Sequence, residues 1–541
     1  MLSSKRGVES THTYWSKVYQ SMGSGLKDNP DLIKMRKILS VSYLDLPAHL
    51  KNRLLFLSSY LEDDLISVKE LIWNWVAQGF VYKEDGRSLY KVGEDYVAQL
   101  INRNFIQAKL STGRQETRLC TVHDMILDLV VYLAQEENFL ITLGGLPMPD
   151  KVHRLVIRCS THGNIKKFAT MNLMNLRSLV VYEEAFHFLP ELSSFPMLRS
   201  LDLSYCMQVD NRAFRVICDL FHLRCLRLFR TSITKVPKEI SNLCFLQILD
   251  IGANIFIDTQ LPLTFIYLRQ LIFLQVPYET KLPDGFENLE SLEELGSVLV
   301  RSAGMLENLG KLTELRALSI VFETWNDVYV EPLRRCLCNL SCLESLDLDL
   351  QGSIDLIWRE TSPMLEQLHT LSLSAVSGIA AAPSWLASIY SLSELNISLQ
   401  TLGEVDIQVL GDIPSLRLLG IYVDKSTHGR DRKLVIEKNK FRCLKRLDVY
   451  SPSLDIVFAP GALEKLEDLS LWFGLDETMV QFGGMEFGIE NLSSLLEVHI
   501  KFWTWNSSMP DFVRAAEDTI RGAISMNPNE PQLNLQVIKR N

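Results

Sequence analysis

One short phrase recurs through most of the chain: a leucine, two variable residues, a second leucine, one variable residue and an aliphatic residue. Clear copies read LRSLDL from Leu198, LRCLRL from Leu223, LESLDL from Leu343 and LHTLSL from Leu368. Because alternate residues of a strand point to the same side, each copy predicts a short strand with one apolar face. A single strand cannot bury that face, whereas a stack of strands buries it continuously. The chain must therefore fold by stacking.

The spacing of the copies indicates the kind of stack. Fifteen copies run from Leu155 to Val498, at a mean interval of about 24–25 residues, which is typical of leucine-rich repeats. The predicted central residues are Leu155, Leu179, Leu201, Leu226, Leu249, Leu271, Leu295, Leu318, Leu346, Leu371, Leu395, Leu419, Leu447, Leu469 and Val498. One copy alone is compatible with an ordinary amphipathic segment, but fifteen in phase predict one solenoid, a horseshoe. The extra residues of the longest intervals are expected to loop out away from the strand face.

Composition limits where the chain works and what it binds. Its 541 residues have room for two or more structural units. A net charge of −10 disfavours nonspecific binding to nucleic acid or to an anionic membrane. The N-terminus lacks an apolar signal region, no run is long and apolar enough to span a bilayer, and the ten cysteines have no paired spacing. We predict a cytoplasmic protein, with the plasma-membrane surface or the nucleus as alternative locations.

The residues before the repeats predict helices followed by a two-stranded hairpin. Ser67 to Glu70 fits a capping box at the start of one helix, and Gly79 suits the end of that helix. Residues 105–110 and 117–122 alternate as a hairpin, and Asp124–Glu136 forms a closing helix. This order is a winged-helix pattern. Val68–Gln78 offers a single basic residue, so we expect the unit to pack against protein rather than to read DNA.

Residues 31–140 resemble the winged-helix portion of plant nucleotide-binding leucine-rich-repeat disease resistance proteins, most closely the coiled-coil class of cereals. The resemblance is carried by four segments: ILSVSYLDLPAHLK from Ile38, YLEDDLISVKELIWNWVAQGFV from Tyr60, VGEDYVAQLINRNFIQ from Val92 and VHDMILDLV from Val122. Long repeats directly after a winged helix are also that family's layout. The predicted fold is thus α/β: an α-helical winged-helix unit followed by a leucine-rich-repeat solenoid of about fifteen repeats.

The departures from the family are as informative as the matches. No GxxxxGK[ST] phosphate loop occurs in the chain, and neither the acidic metal-binding strand nor the N-terminal coiled coil of the family is present. The family's Phe-Pro-Glu-Asp turn reads Tyr60 to Asp63, and Arg53 stands where relatives often have cysteine. We expect residues 1–28 to be the remnant of a preceding helical domain, 29–143 the winged helix, 150–505 the repeats, and 506–541 a C-terminal cap and tail.

His123 and Asp124 match the family's Met-His-Asp signature, here with a valine in first place. The resemblance implies that His123 contacts the diphosphate of bound ADP in full-length members. The alternative is structural: Asp124 caps the following helix and His123 ends the wing strand. Without a phosphate loop we favour the structural role, and we expect no ADP or ATP cofactor in this chain.

Signs of catalysis or metal binding are weak. Cys336, Cys338 and Cys342 lie close together, and thiolates at such spacing can chelate zinc, but no partnering CxxC or HxxxH is near. The sequence contains no GxSxG, no HExxH and no GxGxxG after a strand. We therefore expect neither a metal site nor an enzyme.

Two sets of strand residues are candidates for partner binding. Arg177, Arg199, Arg224 and Arg269 each follow a leading leucine, so stacking would align them in a basic stripe, unless arginine is merely common there. The last repeats hold an aromatic cluster instead: Trp472, Phe473, Phe502, Trp503 and Trp505. We take the three tryptophans as partner anchors, because exposed aromatics suit binding hot spots. The rival interpretation is that the cluster only seals the end of the solenoid.

Two functions are consistent with this sequence. The first, implied by the resemblance, is a plant innate immune receptor or a truncated relative, which recognises a pathogen effector or a guarded host protein through its repeats. A full-length receptor, or the missing nucleotide-binding domain, is a further expected partner. The second is a cytoplasmic leucine-rich-repeat scaffold or adaptor without a nucleotide switch.

Overall fold

The structure, a computed structural model, describes most of the chain from residue 39 onward. The described residues are 39–82, 84, 87–110, 118–142, 152–157, 173–189, 191–255, 259–350, 366–425, 433–454, 456–482, 484–505 and 510–540. They fall into two compact units, Met1–Asp202 and Leu203–Asn541. Residues 1–28, the predicted remnant of a preceding helical domain, and the residues between the predicted winged helix and the predicted repeats lie outside the described residues.

The helices are α1 (Ala48–Phe56), α2 (Val68–Ala77), α3 (Leu89–Asn102), α4 (Asp124–Glu136), α5 (Asn211–Ile217), α6 (Ala303–Leu309), α7 (Val330–Asn339), α8 (Glu404–Gly411), α9 (Leu475–Phe482) and α10 (Pro510–Met526). The strands are β1 (Ile66–Ser67), β2 (Gln107–Leu110), β3 (Arg118–Thr121), β4 (Ile141–Thr142), β5 (Arg154–Ile157), β6 (Ser178–Val181), β7 (Ser200–Asp202), β8 (Cys225–Arg227), β9 (Ile248–Asp250), β10 (Phe273–Thr280), β11 (Glu294–Val300), β12 (Ala317–Phe322), β13 (Ser345–Leu350), β14 (Thr370–Ala375), β15 (Glu394–Leu399), β16 (Leu418–Val423), β17 (Leu434–Ile436), β18 (Arg446–Ser451), β19 (Ile456–Phe458), β20 (Asp468–Gly474), β21 (Glu497–Trp505) and β22 (Gln532–Arg540).

The first unit begins with the predicted winged helix. Helices α1 to α4 accompany a three-stranded antiparallel sheet in the order β1-β3-β2, and β2 and β3 form the predicted hairpin. Ser67 caps α2, because its hydroxyl accepts a hydrogen bond from the Glu70 N–H at 3.3 Å. Gly79 follows that helix with a φ of 71°, a left-handed conformation that favours glycine. Local sequence signals thus fix both ends of α2.

Arg53, the departure from the family's cysteine, lies inside this unit. It is 2% exposed, and its guanidinium carbon lies 4.0 Å from the centre of the Tyr96 ring. Burial lowers the pKa of Arg53, although the hydrogen bond with Tyr96 opposes the shift. A cation–π contact therefore accommodates the buried charge of Arg53.

The winged helix contacts the first repeats of the same unit through Arg154 of β5. Its guanidinium lies 4.5 Å from the centre of the Phe139 ring and 5.1 Å from that of Phe80, and its Nε donates to Gln78. Gln78 in turn donates to the Ser178 hydroxyl on β6 at 2.8 Å. Burial, with a smaller contribution from Arg177, lowers the pKa of Arg154 to about 10, so it stays charged at neutral pH. One cation thus joins the helical part to the strands.

Replacing Arg154 with alanine should weaken this contact. Loss of the two cation–π contacts and of the bond to Gln78 is expected to cost about 1–3 kcal/mol in the free energy of unfolding. Chemical denaturation of the first unit's transition is the measurement. Arg177→Ala is the matched control, because Arg177 is exposed and follows the next leading leucine. Equal stability of the two variants would contradict a joining role for Arg154.

The repeats form parallel strands held in register by their central leucines. In the first unit Leu155 pairs with Leu179 and Leu179 with Leu201. In the second unit the paired central residues are Leu226, Leu249, Leu274, Leu295, Leu318, Leu346, Leu371, Leu395, Leu419, Leu447, Leu469, Val498 and Leu533. Leu533 is half-buried, and the other central residues are at most 2% exposed, so in each unit they form the apolar row that the phrase predicts.

One predicted centre is wrong. Leu249 pairs with Leu274, not with Leu271, so this copy is LIFLQV from Leu271 rather than LRQLIF from Leu268. Both readings satisfy the leucine pattern, and both leucines are buried. Only the hydrogen-bond ladder distinguishes them, and it shifts the copy by three residues.

The sheet also extends beyond both predicted limits of the repeats. Strand β4 pairs with β5 through Ile141 and Leu155, ahead of residue 150. Strand β22 pairs with β21 over nine residues, past the predicted end at 505, where a cap and tail were expected. The inward residues of β22 are only partly buried. Residues 532–540 are therefore one more repeat strand.

The longest intervals contain regular structure rather than plain loops. Helix α7 lies between Leu318 and Leu346, and helix α9 lies between Leu469 and Val498. The interval from Leu419 to Leu447 contains β17, which pairs with β19 in a separate two-stranded parallel sheet. Insertions thus leave the register of the main sheet unchanged.

Candidate functional site

The outward residues of the last repeats align aromatic side chains in one row. Tyr422, Tyr450 and Trp472 are cross-strand neighbours on β16, β18 and β20, and the next residue in the row is Lys501 of β21. Successive ring centres are 6.5 Å apart, and the Lys501 Nζ lies 4.5 Å from the centre of the Trp472 ring. We call Tyr422, Tyr450 and Trp472 the aromatic row.

Trp503 packs against the aromatic row at Tyr450. Its ring stacks on Tyr450 with centres 5.4 Å apart, and the Arg540 guanidinium covers it at 4.3 Å. As a result Trp503 is only 6% exposed, although it projects from the outer face of β21. Much of its contact area is therefore used within the protein.

The predicted aromatic cluster divides into three environments. Phe473 and Phe502 are fully buried in the core, with ring centres 5.9 Å apart. Trp472 is half-buried, and Trp505 is 45% exposed. Trp505 is held by its backbone N–H, which donates to the Asp476 carboxylate at 2.9 Å. The structure thus brings Trp472 and Trp503 together around Tyr450 and leaves Trp505 as the most accessible tryptophan of the three.

These environments predict different costs of truncation. Trp503→Ala should lower the free energy of unfolding by about 2–4 kcal/mol, because it removes a buried ring between Tyr450 and Arg540. Trp505→Ala should leave the melting temperature nearly unchanged. Differential scanning calorimetry on the two variants checks both statements. A large drop for Trp505→Ala would assign that ring to the core as well.

The predicted arginine stripe is only partly present. Arg177 and Arg199 are neighbours in the first unit, where the Arg199 N–H donates to the Arg177 carbonyl at 2.8 Å. In the second unit Arg224 is followed by Gln247 and then by Ile272, each donating its N–H to the preceding carbonyl. Arg269 is exposed but lies three residues ahead of that position, because the register of its copy is shifted. Arg269 is therefore not part of a stripe.

Further along, the same strand position holds charges of both signs. Arg316 lies between Glu293 and Glu344, at 3.9 and 2.8 Å, and Lys445 pairs with Glu467 at 2.7 Å. Such partly exposed pairs contribute little stability individually. They make this edge of the second unit mixed in charge rather than basic.

The three clustered cysteines do not bring their sulfur atoms together as one set of ligands among the described residues. Cys336 is buried, and burial raises the pKa of its thiol to about 12, which disfavours the thiolate that zinc requires. Cys338 is exposed and Cys342 half-buried. Among the described residues, the set of three side chains close enough to share an ion is Asp468, Glu497 and His499, whose ligand atoms lie within 4.8 Å of one another.

Comparison with known proteins gives the family. Residues 175–533 match the family described as "Leucine-rich repeat region", and residues 60–130 match "Disease resistance protein Winged helix domain". The chain belongs to the leucine-rich-repeat family and is a relative of the plant disease resistance proteins. The predicted resemblance is confirmed.

Curated relatives agree with this placement. Disease resistance protein RGA5 of Oryza sativa subsp. japonica is 26% identical over 96% of this chain and 48% of its own length. Disease resistance protein PIK6-NP of the same plant is 29% identical over 90% of this chain and 52% of its own length. The chain thus spans about half the length of these relatives. Among solved structures, the Leptospira interrogans LRR protein LIC12759 aligns with a TM-score of 0.42 at 17% identity, covering 67% of this chain and 96% of that one.

In this disease resistance relative, His123 caps the N-terminus of α4, a role that the sequence predicts for Asp124. His123 precedes α4 and its Nδ1 accepts the Met125 N–H at 3.3 Å, so it caps the helix, whereas Asp124 is the first helical residue. The prediction that Asp124 is the cap is wrong. Both side chains are exposed.

The surroundings of this helix start are acidic. Burial first, and then the carboxylates of Asp124 and Asp128, raise the pKa of Glu62. A cluster of carboxylates repels phosphate groups, which offsets the attraction of a helix N-terminus for anions.

Within the described residues, no helix is both long enough and apolar enough to span a lipid bilayer.

Sequence reasoning missed several residues of this surface. Tyr422, Tyr450, Lys501 and Arg540 are not in the predicted cluster, yet they form or cover the aromatic row. Writing the repeat copies one above another, with the central leucines aligned, places Tyr422, Tyr450 and Trp472 in one column. That column was the available signal for the two tyrosines and for Lys501.

Proposed function

We propose that this chain is a recognition component of plant innate immunity and binds a protein partner through the outer face of its last repeats. The partner class is a pathogen effector or a guarded host protein. Family membership supports the immune role. The aromatic row beside Lys501 and the accessible Trp505 supports the location of the contact.

The aromatic row has the features of a binding hot spot. Tyrosine and tryptophan offer large contact areas at a low cost in side-chain entropy, and they are enriched where alanine substitution weakens binding most. Lys501 lies over Trp472, so one partner group can meet an apolar ring and a charge together. The main-chain ladder beneath sets the spacing of these side chains before any partner arrives, which reduces the ordering cost of binding.

A pairwise binding screen of the full chain against secreted pathogen proteins tests the proposal, followed by measured affinities for any hit. Trp472→Ala and Trp505→Ala should each weaken binding by about tenfold or more, since hot-spot residues cost roughly 2 kcal/mol. Tyr390→Ala is the matched control, because Tyr390 is 76% exposed and lies outside the aromatic row. If Tyr390→Ala weakens binding as much as the tryptophan variants, the site is elsewhere. If no secreted pathogen protein binds, and the plant proteins that bind are not targets of such proteins, the scaffold function replaces the receptor function.

We further propose that the chain neither hydrolyses nor tightly binds adenine nucleotides. Nucleotide binding in this family's manner needs a phosphate loop, and the sequence has none. The Nδ1 of the exposed His123 accepts a hydrogen bond from the Met125 N–H of its own helix, and the neighbouring Asp124 interacts with the carboxylate of Glu62.

Isothermal titration of the chain with ADP and with ATP, each with Mg²⁺, should give no heat of binding in the micromolar range. His123→Ala should leave that result unchanged and should lower stability slightly, by about 0.5–1 kcal/mol, through loss of the cap. Micromolar affinity that disappears in His123→Ala would contradict the proposal.

A further inference from the structure

A second group of side chains on the last repeats brings carboxylates and an imidazole together. Asp468 of β20 and Glu497 of β21 are cross-strand partners, and His499 lies two residues beyond Glu497 on the same face. Their ligand atoms all lie within 4.8 Å of one another, and the His499 Nε2 is 3.4 Å from a Glu497 oxygen. These three residues are the Asp-Glu-His cluster.

Two buried oxygen atoms at this cluster lack partners within the described structure. The Asp468 Oδ2 lies 3.5 Å from Arg446, but its Oδ1 is buried and accepts no hydrogen bond. Ser470 is 4% exposed, and its hydroxyl also has no partner. Ser470 projects from the same face of β20 as Asp468, and its cross-strand partner is His499. Unmet buried oxygens are costly, and a hydrated cation would supply partners for both.

The electrostatics around the cluster also favour a cation. Arg446 is 2% exposed and pairs with Asp448 at 2.9 Å as well as with Asp468. The group holds three carboxyl side chains, those of Asp448, Asp468 and Glu497, against the one guanidinium of Arg446. One divalent ion would balance the remaining two charges.

We propose that Asp468, Glu497 and His499 form a binding site for a divalent transition-metal ion, with Zn²⁺ as the best fit. An imidazole nitrogen together with carboxylate oxygens suits Zn²⁺, whereas Mg²⁺ prefers oxygen ligands alone. Bonds of about 2.0–2.2 Å place zinc ligands roughly 3–4 Å apart, so small side-chain rotations complete the set. Three protein ligands leave a position open.

That open position is accessible and close to the aromatic row. Glu497 is exposed, and Asp468, Ser470 and Trp472 follow one another along the same face of β20. Water, or a carboxylate or imidazole of a bound protein, is the ligand class for the fourth position. The metal site stands without the proposed immune function, because it depends only on this cluster.

Calorimetric titration of the full chain with ZnCl₂, and separately with MgCl₂, tests the site. The unmodified chain should bind one equivalent of Zn²⁺ and no Mg²⁺, and Zn²⁺ should raise its melting temperature. His499→Ala and Asp468→Asn should each weaken Zn²⁺ binding by about tenfold or more, because each removes one of three ligands. The matched control is His369→Ala, since His369 is exposed on the same sheet and its ring bonds to the Ser391 carbonyl.

Two further measurements keep the result decisive. Circular dichroism without metal should show that His499→Ala folds as the unmodified chain does, because His499 is not in the core. Binding of Co²⁺ should give a spectrum without thiolate charge-transfer bands, which excludes the cysteines as ligands. Absence of Zn²⁺ binding at millimolar concentration, thiolate bands, or equal affinity of His499→Ala and the unmodified chain would each overturn the proposal.

Discussion

The stacking of inward-facing leucines is the constraint on which the rest of the repeat structure depends. Each strand contributes one central residue to the core row, and neighbouring rows of aliphatic residues flank it. A slip of one residue would turn the whole apolar set outward, so the core fixes the register at the central residues of the paired strands. Once the register is fixed inside, the outward residues are aligned as well. The aromatic row and the Asp-Glu-His cluster exist because leucines on the other face hold neighbouring strands in step.

The same constraint explains what the sequence could predict. The period, the strand positions and the winged helix follow from patterns that are local or strictly repeated, such as the Ser67 cap and the hairpin of β2 and β3. The copy near Leu271 could not be placed, because two overlapping leucine phrases satisfy the pattern there and only pairing with Leu249 selects Leu274. That three-residue shift also removed Arg269 from the predicted stripe. Strand β22 was missed because its copy reads EPQLNL, with Glu530 at the position where the other copies have their leading leucine.

The candidate site was predicted in part, and the errors have a physical cause. Aromatic residues in the last repeats indicated the correct region, but residue type alone does not decide exposure. Trp503 faces outward yet is covered by Arg540, which lies on a strand beyond the predicted end of the repeats. The Asp-Glu-His cluster draws its members from two copies separated by a long interval containing α9. Such a set becomes visible only when the copies are aligned by their pairing rather than read in order.

The first unit shows a different use of charge. Arg53 and Arg154 are both drawn away from water and onto aromatic rings, and neither relies on a carboxylate partner among the described residues. A ring face stabilises a guanidinium without adding a second charge that would itself need to be desolvated. At the last repeats the arrangement is reversed: carboxylates outnumber the one buried arginine, and oxygen atoms are left unmet. In the first unit the ring contacts leave Arg53 with two nitrogens, Nε and Nη2, that have no hydrogen-bond partner in the described part of the chain. At the last repeats the excess of carboxylates is what the proposed metal ion would balance, beside the aromatic surface proposed to meet a partner.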